Sequence, residues 1–92
     1  MITIYKYPLE EELRSFIYTV KVPQVHKIVH FGKDGMDQLC IWCEVHKEDV
    51  PERELKFKLF GTGWDITSDG GLQHIKTIVE PSGLVWHYYQ IA

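Results

Sequence analysis

The chain has 92 residues, 45% of them hydrophobic, 13% aromatic and 25% charged, with 10 Lys and Arg against 13 Asp and Glu and a formal charge of -3. That balance excludes a disordered tail or a fibre, and the length suits one domain over 1–92, since two halves would each be too small to bury a core. Basic residues divide evenly, 5 in residues 1–46 and 5 in 47–92, so no basic half exists to grip a phosphate backbone and nucleic acid is not an expected partner.

Along the chain the dominant signal has period two. Ile2 to Tyr7 reads as a first strand, rich in Ile and Tyr. Leu9, Leu13 and Phe16 then fall at i, i+4 and i+7 behind Pro8, and Glu10, Glu11 and Glu12 would meet the positive end of a helix dipole. A helical turn or two is therefore expected near residues 9–15, too short to stand without packing. Phe16 to Val22, Val25 to Phe31 and Leu39 to Val45 follow as strands. The clearest alternation is Leu55-Lys56-Phe57-Lys58-Leu59, which predicts Leu55, Phe57 and Leu59 buried, with Val20, Ile41 and Val85, and Lys56 and Lys58 exposed. Leu72 to Val79 and Leu84 to Ile91 close the chain.

The punctuation between these runs is chemically specific. Lys33-Asp34-Gly35 carries the Asp-Gly pair of a tight hairpin, and Glu80-Pro81-Ser82-Gly83 sets Pro at the second turn position and Gly where a left-handed residue is wanted. Each should join antiparallel neighbours. His46 to Arg53, with Pro51, is a polar connection. The expected fold is all-β, a small antiparallel meander of about seven strands forming a barrel or sandwich, with at most one short helix. No stretch approaches the roughly 18 unbroken apolar residues of a membrane span, and the opening residues lack a signal peptide's basic-then-apolar pattern. The expectation is a cytoplasmic protein that meets no membrane.

Cys40 and Cys43 have the spacing of a redox or zinc motif, but within a strand positions i and i+3 point to opposite faces. The sulfurs diverge, Cys43 reads as a small core hydrophobe, and free thiols are expected. The five histidines, His26, His30, His46, His74 and His87, do not converge either. His26 and His30 would stand about 13 Å apart on one strand face, and a turn centred near residues 81 and 82 pairs His87 with residue 76 or so rather than with His74. Neither a metal nor a cofactor is expected.

Gly61-Thr62-Gly63-Trp64 follows directly on a strand, and its glycines could present backbone N–H groups to an anion. It lacks the Lys-Ser/Thr pair of a P-loop, and Asp65, Asp69 and Gly70-Gly71 forbid the helix that would complete one. The connection from Gly61 to Gly71 spans 11 residues and carries Trp64 and Ile66, which fits either a functional loop or a lid over an open barrel end. Trp42 and Trp86, with Tyr88 or Tyr89, lie on strands whose alternation must turn some aromatics away from the inner core, and a second apolar face needs cover. Ser15, Ser68 and Ser82 lack a nucleophile-elbow context, and no carboxylate has an obvious partner base.

Three stretches read together carry a resemblance: Ile2-Thr3-Ile4-Tyr5-Lys6-Tyr7-Pro8, Phe57-Lys58-Leu59-Phe60-Gly61-Thr62-Gly63-Trp64-Asp65-Ile66 and Gly83-Leu84-Val85-Trp86-His87-Tyr88-Tyr89, with Leu39-Cys40-Ile41-Trp42 as a middle strand. They resemble a family of small bacteriophage and prophage proteins of unknown function. The Phe-Gly-Thr-Gly and Val-Trp-His strings are the most specific parts. Relatives often carry His where this chain has Trp64, and the Pro8 to Ser15 segment is variable. The resemblance implies an accessory protein made in the host bacterial cytoplasm, a class that commonly binds and disables host factors, including anti-phage defence components; it brings no catalytic residue.

The expected function is thus a non-enzymatic protein that binds a host protein through the Phe60 to Trp64 loop and exposed aromatics. Its ligand- or partner-binding residues would be Gly61, Thr62, Gly63, Trp64, Asp65, Trp42, Trp86 and His87. The alternative is a module that sequesters a nucleotide with the Gly61 to Gly71 loop. An uncovered apolar face and a charge of only -3 also lead to the expectation of a homodimer.

Overall fold

The computed structural model describes residues 1–13, 15–66 and 71–91. Eight strands run in the order β1 (Ile2–Pro8), β2 (Glu10–Glu11), β3 (Ile17–Val22), β4 (His26–Lys33), β5 (Leu39–His46), β6 (Arg53–Gly61), β7 (Leu72–Val79) and β8 (Val85–Ile91). They form two antiparallel sheets, β1-β5-β4 and β2-β3-β6-β8-β7. The sheets face each other as a sandwich. The barrel does not close: β1 approaches β3 and β4 approaches β7 without a hydrogen-bonded ladder.

The core forms where the two sheets turn their alternate residues inward. Leu39, Ile41, Cys43 and Val45 of β5 meet Leu55, Phe57 and Leu59 of β6, with Val20, Val22, Phe31 and Tyr88 filling between. Phe31 lies edge-on to Phe57 with ring centroids 5.3 Å apart, and tilted over Tyr88 at 4.9 Å. The alternation of Leu55 to Leu59 is therefore real. Lys56 and Lys58 are half-buried rather than exposed, because their stems lie along the outer side of the sheet and Lys58 Nζ sits 5.3 Å from the centre of the Phe60 ring. Val85 is likewise half-buried, since it pairs with the last residue of the edge strand β7.

The segment expected to be helical is extended over residues 9–11 and then turns, the Ser15 N–H donating to the Glu12 carbonyl at 3.3 Å. Pro8 continues β1 opposite Cys40, the Leu9 N–H donates to the Leu39 carbonyl at 2.9 Å, and Glu10 and Glu11 pair with Thr19 and Tyr18. Leu9 is in the core while Leu13 is 88% exposed, so the i, i+4, i+7 set never forms a stripe. Sheet pairing outweighs the propensity of so short a segment. Arg14 lies outside the described residues.

Both hairpins form where the turn residues placed them, β4 with β5 and β7 with β8. Each closes with the same geometry, a four-residue turn whose last residue is left-handed: Asp37 at φ 64 in one and Gly83 at φ 93 in the other. In the first turn Gly35 is not the left-handed residue. Asp34 instead fixes the turn, its Oδ1 accepting from the N–H groups of Met36 at 2.8 Å and Gln38 at 3.0 Å. Lys33 donates to Glu80 at 3.2 Å and so clips one hairpin turn to the other across the open β4–β7 seam.

Candidate functional site

At the end of β6 the chain makes a tight turn. The Trp64 N–H donates to the Gly61 carbonyl at 3.1 Å, and Gly63 takes φ 89, the left-handed value that a type II turn needs at its third position. This turn folds the Trp64 indole back over Gly61. A Cβ on Gly61 would stand 2.7 Å from Trp64 Cε2 and 2.8 Å from Nε1, so the missing side chain is what seats the ring. The indole lies edge-on to Phe16 at 5.3 Å and to Trp86 at 5.9 Å, yet Trp64 remains 45% exposed. Trp86 is beside it because Trp86 pairs with Gly61 across β6 and β8. Phe16 is held in the left-handed region at φ 57, uncommon for a bulky residue, while its carbonyl accepts from the Leu59 N–H at 2.9 Å.

Phe16 and Trp86 also line a groove of about 800 Å3 that runs into the open end of the sandwich, with Tyr18 and Tyr88 in its wall. Tyr18 and Tyr88 meet edge-on at 5.9 Å. Burial pushes the Tyr88 hydroxyl well above its ordinary range, with Tyr18, Glu80 and Glu11 adding to the shift, and burial does the same more mildly to Tyr18. Both phenols are therefore neutral hydrogen-bonding groups at ordinary pH. Among the described residues the groove carries four carboxylates, Glu10, Glu11, Asp37 and Glu80, and one ammonium, Lys33. That ammonium is already engaged by Asp37 at 3.3 Å and Glu80 at 3.2 Å.

Thr62 and His87 meet on the other side of the same sheet. Thr62 Oγ1 lies 2.8 Å from His87 Nε2, His87 Nδ1 lies 2.9 Å from Thr77 Oγ1, and Thr77 Oγ1 lies 2.9 Å from His74 Nε2. These contacts join two hydroxyls and two imidazoles in one continuous chain of hydrogen bonds. His87 pairs with Thr77 in register, and His74 pairs with Tyr89. His74 and Thr77 share a face although they are three apart, because a bulge between His74 and Lys76 inserts one residue. The simple hairpin count could not show this.

The remaining expected site residues separate. Trp42 is on β5, in the other sheet, with parity opposite to the core residues Ile41 and Cys43; it is half-buried and lies 5.0 Å from His30. It shares no surface with Trp64. Phe60 is a buried strand residue, edge-on to Tyr89 at 5.5 Å, and not part of a loop. Asp65 is exposed just beyond the turn, and residues 67–70 of the Gly61 to Gly71 connection lie outside the described residues. Site residues that the sequence did not single out are Phe16, Tyr18, Glu11 and Glu80. Glu11 belonged to the expected helix start, and only its pairing with Tyr18 turns it toward the groove.

Both cysteines are free and buried, with Cys43 in the core and Cys40 on the opposite face. Burial raises the Cys43 thiol to about 11, and burial followed by the charge of Asp34 raises that of Cys40. Among the described residues no cluster of three or more His, Cys, Asp or Glu could hold a metal ion, and no helix is long and apolar enough to cross a membrane.

The family model described as "Domain of unknown function (DUF7352)" matches residues 1–92, and the chain belongs to that family. Neither the curated proteins nor the solved structures give a match to it.

Proposed function

We propose that this member of the DUF7352 family is a non-enzymatic binding protein whose target is another protein, engaged at the groove mouth framed by Trp64, Phe16 and Trp86. One observation carries the reading: a half-exposed indole seated on a side-chain-free position, edge-on to Phe16 and Trp86, two rings that line a groove of about 800 Å3. Rigid aromatics of this kind dominate protein interfaces because they supply area with little rotamer entropy to lose. The finer role, a bacteriophage protein that binds a host factor in the bacterial cytoplasm, as an anti-defence inhibitor would, rests on the Phe60-Gly61-Thr62-Gly63 and Val85-Trp86-His87 strings alone.

The nucleotide-sequestering alternative has charge against it. Among the described residues, four carboxylates and a single, already paired lysine line the groove, and these carboxylates would repel an entering phosphate. The Thr62–His87 face offers hydroxyls and imidazoles that already bond one another.

Affinity capture from bacterial extract, with the bound protein identified and its purified form shown to rebind, tests the reading. The wild-type chain should retain the partner and the Trp64→Ala variant should lose it with the fold intact. Retention by a folded Trp64→Ala variant would remove the mouth from the interface, and a nucleotide retained in native mass spectra would favour the alternative. The homodimer belongs to the same proposal: Ile2 and Ile4, 61% and 54% exposed, lie on the Trp42 side of their sheet, and sedimentation at tens of micromolar should show a dimer rather than a pure monomer.

A further inference from the structure

The chemistry of the groove constrains what can enter it. Its wall is aromatic, with Phe16, Tyr18, Trp86 and Tyr88 among the lining residues, and among the described residues it carries four carboxylates against one ammonium. Lys33 is held between Asp37 and Glu80, so it neutralises part of the rim and is not displayed as a free cation. Glu11 pairs with Tyr18, whose ring faces inward with Phe57, and so Glu11 shares the groove side of the sheet. Neither Glu10 nor Glu11 has an ion-pair partner among the described residues.

A second, independent feature lies deeper in. Tyr88 is 4% exposed and lines the groove, yet its hydroxyl has no hydrogen-bond partner among the described residues. No side-chain polar atom there is both sealed from solvent and unpartnered, so this hydroxyl opens to the groove and not to a closed void. A buried phenol oxygen facing an open cavity is an acceptor waiting for a donor.

We infer that the groove receives an arginine side chain from a basic segment of the partner protein, its guanidinium set among the aromatic rings and drawn by Glu11 and the acidic rim. This deepens and rests on the protein-binding reading above. Arginine fits each feature at once: it is a planar cation that stacks on aromatic faces, it is less strongly hydrated than an ammonium, and its five N–H donors suit phenol oxygens and carboxylates. A phosphate or an acidic peptide would be opposed by the Glu10, Glu11, Asp37 and Glu80 carboxylates. An apolar side chain would satisfy the rings but leave the carboxylate rim and the Tyr88 hydroxyl unanswered.

The test uses the full chain, 15N-labelled, and a short acetylated and amidated peptide bearing two arginines, with glutamate and leucine counterparts. The arginine peptide should shift the indole N–H signals of Trp64 and Trp86 saturably, and the other two should not. Glu11→Gln should weaken binding about fivefold, the order expected for one charge contact at a partly exposed rim, and Glu11→Lys should abolish it, while both variants keep the wild-type spectrum elsewhere. Added salt should weaken the arginine peptide further. Equal binding of the leucine or glutamate peptide, or unchanged affinity in both Glu11 variants, overturns the inference. Failure here is separable from failure of the binding reading: a partner captured by wild type and lost by Trp64→Ala, with no response to arginine peptide, leaves the interface standing and removes only its cationic occupant.

Discussion

Trp42 and Trp64 are both tryptophans at sheet surfaces, and their surroundings differ in kind. Trp42 sits mid-strand in β5, where neighbours on both faces are packed away: Ile41 and Cys43 are fully buried inward, Cys40 is fully buried on the opposite face, and the indole itself rests against His30. Trp64 sits beyond a strand end, on a glycine, with an open groove beside it. The first ring is fixed by a ladder on each side, whereas the second is held by a turn and two edge contacts. The difference teaches where change is tolerated. Mid-sandwich substitutions should act on stability, and mouth substitutions should act on recognition.

The largest expected effect lies under the middle of the sandwich. Phe57→Ala should cost about 3 to 5 kcal/mol in urea melts, because a fully buried ring touching Phe31 is lost without refilling. A loss below about 1 kcal/mol would break the distinction from the stable side. Gly61→Ala comes next. The added methyl collides with a rigid indole rather than a flexible tail, so Trp64 must leave its seat at a cost of about 1 to 3 kcal/mol, with partner binding lost. Gly63→Ala meets no neighbouring atom but is strained by its left-handed backbone, and should be milder, at about 1 kcal/mol. Trp64→Ala should cost about 1 kcal/mol, from two partly exposed edge contacts, while abolishing partner retention.

Acid should act first on the β4–β5 hairpin turn. Hydrogen bonding from Lys6, then from the Gln38 and Met36 N–H groups, lowers the Asp34 carboxyl from 3.8 to about 2. A depressed folded-state value means the stabilisation is complete above about pH 4 and fades as pH falls from there toward about 2. Asp34→Asn should flatten that part of the stability profile, and an unchanged acid limb would show that the β4–β5 turn does not depend on this charge. The thiols sharpen the same contrast at the smallest scale: Cys40 and Cys43 should resist alkylation at neutral pH until the chain unfolds.

How much of this was legible in the sequence follows from which features are local. The Leu55 to Leu59 alternation, the Pro81 to Gly83 turn and the opposed faces of Cys40 and Cys43 depend on period two and turn chemistry, and they stand as expected. The groove was illegible because it joins Glu11 of β2, Tyr18 of β3 and Tyr88 of β8, positions that only sheet order brings together. The fold allowed at most one short helix near residues 9–15, and among the described residues none forms there, because Glu10 and Glu11 pair with Thr19 and Tyr18 as an edge strand instead. His74 reached the Thr77–His87 chain through a bulge that no composition rule announces. In the first hairpin, Asp37 rather than Gly35 took the left-handed turn because Asp34 capped the loop with its own carboxylate.

Site-specific photocrosslinking tests the central claim most directly, with p-benzoylphenylalanine replacing Trp64 in one preparation and Trp42 in another, each mixed with the captured partner. Irradiation should join the partner covalently to position 64 and give no partner adduct at position 42, where only a second copy of the chain is expected to react, with circular dichroism confirming that both chains are folded. Adducts at position 42 alone, or equal yields at the two positions, would contradict the assignment of recognition to the groove mouth.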